Sequence, residues 1–553
     1  MCLSPFNHEF ISNNELAKLS FWLIHYPSME FWTSFFLFLS SISVILAQNV
    51  EEGHLVINGS LPMAHTDPNY ICATIDWWPN TKCDYHHCPW GSSSALNLDL
   101  SHPFLTKAVQ AFKCMRIRVG GSLQDQVLYN IGNFTGPCHP FKKMKGGLFG
   151  FSKGCLNMSR WDELNQFFNK TRALVTFGLN ALHGRHQVTK GVWGGDWNHN
   201  NARDFIKYTV SKGYQIDSWE FGNELSGKGI GAMVDAEQYA SDVIELRGII
   251  DNSYTKFQPK PLLVAPGGFF DKQWFSKLLQ VSGSEIVNVM THHIYNLGPG
   301  VDPNLVKKIL DPHFLSRASV TFNALHETIK TDGPWASSWV GESGGAYNSG
   351  GLHLAMAAKY HTKVYCRQTL IGGNYGLLNR TTFIPNPDYY SALLWDRLMG
   401  SGVLDVERVN IPPHLRTYAH CSKGKRGITV LLINLSNQTN FKLDVHNIMN
   451  MNLHIKTSRK KASFVDDLKK TVSWVGLKST DENLTREEYH LTPQHGDITS
   501  KTMLLNGVPL KLNENGDIPC FKPNFVKVDS KISIAPLSIK FLKFPNFDAP
   551  GCS

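Results

Sequence analysis

Ser218-Trp219-Glu220-Phe221-Gly222-Asn223-Glu224 reads as a buried β-strand that runs into an Asn-Glu pair. A second strand of this kind, Ser338-Trp339-Val340-Gly341-Glu342-Ser343, also ends on a glutamate. The two glutamates stand 118 positions apart (342 minus 224), too far for one hairpin and suited to separate strands of one parallel barrel. Two strand-end carboxylates are the minimum equipment for cleaving a glycosidic bond: one protonated, to give its proton to the leaving oxygen, and one ionised, to attack the anomeric carbon. Identical side chains can take these opposite parts when their surroundings differ. The spacing therefore implies a (β/α)8 TIM barrel of the glycosidase type.

Working outward, short apolar strands alternate with amphipathic segments. Candidate strands are Ile71–Ile75, Met115–Val119, Ala173–Leu179, Ile216–Phe221, Leu262–Ala265, Ile286–Thr291, Trp339–Gly341 and one near Leu370–Leu377, with helices such as Asp204–Ser211 and Ala236–Ile250 between them. After Gly400 the pattern turns to strands: Gly427–Asn434 is β-branched and aliphatic, Asn506-Gly507 is a hairpin signal, and Ile532–Phe544 alternates. The expected organisation is α/β: a leader over 1–47, an N-terminal strand over 48–66, a barrel over 67–398 and a C-terminal β-sandwich over 399–553. Leu55–Met63 is expected to add an edge strand to that sandwich.

The chain has 553 residues, 42% hydrophobic and 18% charged, enough for a large core and about two or more domains. An uncharged apolar run, Phe31–Ala47, is followed at once by Gln48-Asn49 and Glu51-Glu52 and reads as a secretory signal with its core over 29–47; the alternative is an uncleaved anchor. Eight Asn-x-Ser/Thr acceptors, at Asn58, Asn133, Asn157, Asn169, Asn379, Asn434, Asn437 and Asn483, point the same way. So do the 11 cysteines, which become an even ten once Cys2 leaves with the leader. Export to an extracellular, cell-wall or vacuolar location follows, with no transmembrane span in the mature chain and room for peripheral association with wall or membrane. The formal charge of +9 favours anionic partners such as acidic glycans. The basic cluster Lys456–Lys470 is either a polyanion dock or a solvated loop, and no nucleic-acid motif accompanies it.

Both glutamates fall at strand ends, where barrel enzymes carry their chemistry. Asn223 supplies an amide for the sugar 2-hydroxyl, which makes Glu224 the acid/base; Glu342, flanked by Gly341 and Gly344-Gly345, has room for a sugar ring and is the nucleophile. Glu220 shares the strand face and is the runner-up carboxylate, in an orienting role. Trp193 and Trp197 either stack on sugar faces or pack for the fold. Asn180 belongs to cleft architecture. Cys83-Asp84-Tyr85-His86-His87-Cys88 looks zinc-like, but one cysteine at each end suits a disulfide loop, and the pair His292-His293 lacks further ligands at useful spacing. Neither a metal nor another cofactor is called for.

Phe177-Gly178-Leu179-Asn180-Ala181-Leu182, Trp219–Glu224 and Gly372-Gly373-Asn374-Tyr375 together resemble the heparanase and plant β-glucuronidase family of retaining glycoside hydrolases, from about Leu55 to the C-terminus. The resemblance implies a barrel plus β-sandwich with Glu224 as acid/base and Glu342 as nucleophile. It implies further that Tyr375 and the Gly350-Gly351 amides hold a substrate carboxylate, a concavity of N–H donors that glycine lets an anion approach closely. Asp76 matches a hydroxyl-binding aspartate, although Trp77-Trp78 after it depart from the heparanase pattern. His293 and Tyr295 match a motif after the sixth strand that orients the nucleophile, and Cys421 with Cys552 match a sandwich disulfide. Cys138 with Cys155 is a further candidate pair.

The expectation is a secreted retaining β-glucuronidase acting on glucuronic acid in polysaccharide, proteoglycan or small-molecule glucuronides. Alternatives are an endo-β-glucuronidase of heparanase type, a silent acidic-glycan-binding protein, and a cellulase or arabinofuranosidase of the same barrel clan.

Overall fold

The computed structural model describes residues 49–347, 354–448 and 484–552. The expected leader, Gly350, Gly351, the Lys456–Lys470 cluster and Asn483 lie outside the described residues.

Eight parallel strands close into a barrel: Ile71–Asp76, Arg116–Gly120, Leu174–Leu179, Ser218–Phe221, Leu262–Phe269, Val289–Ile294, Ser337–Ser343 and Thr362–Arg367. Strands covered on both faces should read as near-continuous apolar runs. The first, second and fourth are buried at every residue. Trp219 and Phe221 are both fully buried, each contributing about 1.5–3 kcal/mol of apolar transfer.

The eighth strand is Thr362–Arg367, not the apolar segment near Leu370–Leu377. Leu370–Leu377 cannot continue a strand because Gly372 and Gly373 take φ of 90° and 67°, in the left-handed region. That segment forms the loop above the last strand.

Strand period two sorts the interior into layers. Cys72, Val264, Val289, Trp339, Val364 and Cys366 pack together as one small cluster. Cys72 and Cys366 are register partners and form a disulfide, so a covalent bond joins the first barrel strand to the last. Two residues beyond Cys72 comes Thr74, whose register partner on the second strand is Arg118; both are buried, and there the barrel becomes polar. On the outside, the helix Ala236–Ser253 is N-capped by Asp235 through the Glu237 N–H (2.9 Å). Tyr239 of this helix donates its hydroxyl to the Phe221 carbonyl and anchors the end of the fourth strand.

The second domain is one hydrogen-bonded network of strands. Met399–Val409 pairs Leu415–Ser422 along one half and Asn49–Asn58 along the other, and so belongs to two sheets. Side chains from both sheets, including Leu55, Leu404, Val430, Phe441, Ile534 and Leu542, share a second core. This is a sandwich in which the N-terminal strand is internal: Asn49–Asn58 pairs antiparallel with Met399–Val409 and parallel with Thr439–Asn447. The expected edge position is corrected, because both of its backbone edges are occupied.

Candidate active site

The fourth strand stops at Phe221, and the chain then turns through Gly222 (φ 69°) and Glu224 (φ 55°). A glutamate in the left-handed region costs conformational energy that its surroundings must offset. The Glu224 N–H donates to the Gly267 carbonyl (2.7 Å), at the irregularity where the fifth strand shifts register between Ala265 and Gly268. One residue earlier, the Asn223 N–H donates to the Asp125 carboxylate, which also accepts the Ala181 N–H, each at 2.8 Å. Burial pushes Asp125 up to about 7, although both of those N–H bonds oppose the rise.

Glu224 and Glu342 meet across one space. Donor atoms of Glu224, His293 and Glu342 all lie within 4.8 Å of one another, and all three residues are buried. Burial raises the Glu224 carboxyl to about 7, against the pull of the nearby Arg118 cation. His293 Nδ1 lies 2.9 Å from Glu224 Oε1, and burial drops this imidazole to about 3, so it is neutral. Glu342 is held on both oxygens: Tyr295 donates to Oε1 (2.5 Å) and Arg118 Nη1 to Oε2 (2.9 Å).

Arg118 organises the floor of the site. Its three nitrogens reach Glu220 (Nε, 2.7 Å), Glu342 (Nη1, 2.9 Å) and the Asn223 amide oxygen (Nη2, 2.7 Å). A planar fork with fixed donor directions is what this arrangement requires, and lysine has none. Oδ1 of Asn223 is taken, while its Nδ2 is buried without a partner among the described residues, as is His293 Nε2. Such unpaired buried polar atoms are what a bound polyol would satisfy.

Asp76 ends the first strand, 1% exposed. Its Oδ2 accepts from Gln368 Nε2 (2.6 Å), and Gln368 in turn accepts from the Thr74 hydroxyl. Burial raises Asp76 well above the usual range, and the Glu342 charge adds to the effect. Burial raises the Tyr375 hydroxyl well above its usual range, the Asp76 and Glu342 charges add to the effect, and a hydrogen bond with the same Gln368 opposes it. Gly121, with φ of 102°, leaves room for all this: a Cβ there would fall 1.8 Å from Asp76 Oδ1.

The structure thus brings together Glu224, Glu342, Asn223, Asp76, His293, Tyr295 and Tyr375. Sequence reasoning missed Arg118, Gln368, Asp125 and Gly121; the signal for Arg118 was a pair of arginines, Arg116 and Arg118, on a strand that is buried at every residue. Glu220 is fully buried and engaged by Arg118 Nε, an orienting position. Trp197 is packed, with Nε1 on the Asn180 carbonyl (2.9 Å) and its ring against Phe221, whereas Trp193 stands half-buried in a small three-stranded sheet. Trp77 is buried against Phe177, and Trp78 against Phe149 and Phe151. Glu224, His293 and Glu342 have the donor types of a metal site, but a cation there would compete with the Arg118 guanidinium and the Tyr295 hydroxyl for Glu342.

Among the described residues four disulfides form: Cys72–Cys366, Cys83–Cys88, Cys138–Cys155 and Cys421–Cys552; Cys114 and Cys520 stay outside them. The first was absent from the sequence reading, since its partners lie 294 residues apart. Of the acceptor asparagines, Asn133, Asn157, Asn169, Asn379 and Asn437 are exposed and Asn58 half-exposed. Asn434 is corrected: it is 2% exposed, and its Nδ2 donates to the Thr439 and Ala535 carbonyls, so it offers no acceptor in the folded chain. Among the described residues no helix is long and apolar enough to cross a membrane.

A closed parallel barrel with a β-sandwich, and two buried glutamates facing each other at the strand tips, define the architecture of a glycoside hydrolase. Residues 52–363 match the N-terminal domain of glycosyl hydrolase family 79, and the chain belongs to that family. It is 58% identical to heparanase-like protein 1 of Arabidopsis thaliana, over 92% of this chain and 96% of the relative. It is 37% identical to baicalin-β-D-glucuronidase of Scutellaria baicalensis, over 90% and 93%. Among solved structures, the GH51 α-L-arabinofuranosidase of Thermotoga petrophila shares the fold, with a TM-score of 0.58 at 13% identity over 89% of this chain and 99% of that one.

Proposed function

We propose that the protein is an exported, retaining β-glucuronidase that removes β-linked glucuronic acid from polysaccharide, proteoglycan or small-molecule glucuronides. The observation that carries this reading is the approach of Glu224 and Glu342 donor atoms to within 4.8 Å. Retaining glycosidases hold their carboxyl groups about 5–5.5 Å apart, whereas inverting ones leave about 6.5–9.5 Å for a water.

In this mechanism Glu342, oriented by Tyr295 and Arg118, attacks the anomeric carbon. Glu224 enters protonated and gives its proton to the leaving oxygen. When His293 carries its proton on Nδ1, it donates to Glu224 Oε1 and leaves the acidic proton on Oε2. Water then displaces the sugar from Glu342, with Glu224 now accepting the proton. The free Asn223 Nδ2 suits the 2-hydroxyl, a contact that strengthens as the oxocarbenium-like transition state forms. Asp76 takes a hydroxyl of the same sugar, and Tyr375 with Gly350-Gly351 receives the uronate. The name of the Scutellaria relative supports the substrate class. Four disulfides and the Phe31–Ala47 run support export.

The test is hydrolysis of a chromogenic β-glucuronide beside the matching β-glucoside and α-arabinofuranoside, with Glu224→Gln and Glu342→Gln as controls. Turnover of the glucuronide by the parent alone is expected. Preference for a neutral glycoside, or undiminished turnover in Glu342→Gln, overturns the reading.

A further inference from the structure

On the flank of the molecule, between the helices around Pro312–Ser319 and Met356–Tyr360 and the sandwich strands Met399–Val409 and Leu415–Ser422, lies a cavity of about 330 Å³. That volume is within the range of small-molecule sites, about 300–1,000 Å³. It shares no residue with the catalytic space. Among the described residues its lining includes Lys359, Arg408, Arg416 and His313 and no aspartate or glutamate.

These cations are only partly spent. Arg416 sends Nε to the Tyr418 hydroxyl (3.0 Å) and Nη1 to the Pro312 carbonyl and Ser316 hydroxyl (3.2 Å each). Arg408 makes one long contact, to the Leu415 carbonyl (3.4 Å), and Lys359 stands 3.8 Å from Asp405, which is not a lining residue. Neither arginine has a carboxylate partner among the described residues. Thr417 is also a lining residue, and its hydroxyl is buried with no hydrogen-bond partner among the described residues. Uncompensated guanidinium groups around a concavity concentrate positive potential and present the donor fork that matches an oxyanion. A buried orphan hydroxyl beside them adds a group that a sugar hydroxyl would satisfy.

We propose that this cavity is a second, non-catalytic site for an acidic saccharide, with a uronate carboxylate held by Arg408, Arg416 and Lys359 and a sugar hydroxyl on Thr417. The choice of uronate rests on the β-glucuronidase reading; the choice of an oxyanion rests on the cavity alone. A site of this kind keeps the enzyme on a polymer while its barrel works on a separate residue of the chain.

The experiment is calorimetric titration of the full chain with an oligosaccharide carrying one α-linked glucuronate, a linkage that a β-glucuronidase leaves intact. The same oligosaccharide with its carboxyl reduced to an alcohol, and sodium sulfate, are titrated in parallel. Lys359→Gln/Arg408→Gln is the variant, both positions being at the surface, with Arg408→Lys as a second that keeps the charge and loses the fork. The expected result is at least tenfold weaker uronide binding in the double variant, a similar loss on carboxyl reduction, and unchanged hydrolysis of the chromogenic β-glucuronide. Equal binding by the double variant, or equal binding of the reduced saccharide, overturns the proposal; sulfate binding without uronide binding overturns the saccharide part. Loss of β-glucuronide hydrolysis in the parent with cavity binding intact overturns the proposed reaction and leaves the cavity standing.

Discussion

Replacing Glu224 by glutamine should make the protein more stable and less active, and the stability gain should depend on pH. The Glu224 carboxyl rises from 4.5 to about 7 because folding buries it. Between those values the folded chain binds a proton that the unfolded chain has released. With more protons bound in the native state, stability falls as pH rises through this window, and the loss is complete above about pH 7. A rise of about 2.5 pH units corresponds to about 3 kcal/mol. Glutamine has nearly the same shape and stays neutral throughout, so the variant avoids the loss. His293, held neutral at about 3, does not cancel it by charging. The assay is thermal unfolding of both proteins at pH 4 and pH 8. At about 2.1 cal/mol/K per residue the unfolding entropy is near 1 kcal/mol/K, so the midpoint of Glu224→Gln should match the parent at pH 4 and exceed it by about 3 °C at pH 8. Equal shifts at the two pH values would refute the reasoning. The same ionisation should bring parental activity down tenfold per pH unit above about 7, with Glu224→Gln losing about 10²–10⁴ in kcat/KM on substrates with poor leaving groups.

Other outcomes follow from the geometry. Arg118→Lys keeps one charge but cannot serve Glu220, Glu342 and Asn223 together; a loss of about 3–5 kcal/mol in urea unfolding and a fall in kcat are expected, and an unchanged kcat counts against the floor of the site as described. Gly121→Ala drives a methyl into Asp76 Oδ1 and should raise KM more than tenfold, with the barrel fold retained by circular dichroism. Cys72→Ser/Cys366→Ser opens a loop of 294 residues across the barrel seam and should cost about 2–5 kcal/mol in urea unfolding.

Much of the site was legible because its members terminate strands, and strand ends can be read from local pattern. Glu224 and Glu342 belong to that class, whereas Asp76 and Tyr295 were reached through the family resemblance. Arg118 and Gln368 were not legible, since their importance arises from partners around a hundred or more residues distant that only barrel closure brings near. The eighth strand was displaced in the reading because Thr362–Arg367 carries Lys363 and Arg367, while the more apolar Leu370–Leu377 is broken by glycines in left-handed conformation. Asn434 shows the same limit from the other side: its motif is local, but it is buried in the folded chain, where its Nδ2 donates to the Ala535 carbonyl 101 residues away.

Covalent chemistry at Glu342 can be caught directly. Incubation with a 2-deoxy-2-fluoro-β-glucuronyl fluoride, which forms the glycosyl-enzyme quickly and releases it slowly, followed by peptide mass spectrometry, locates the bond. One fluoroglucuronyl group on the peptide carrying Glu342 is predicted; a label on Glu224 or Glu220, or turnover through an inverted product with no label at all, would contradict double displacement.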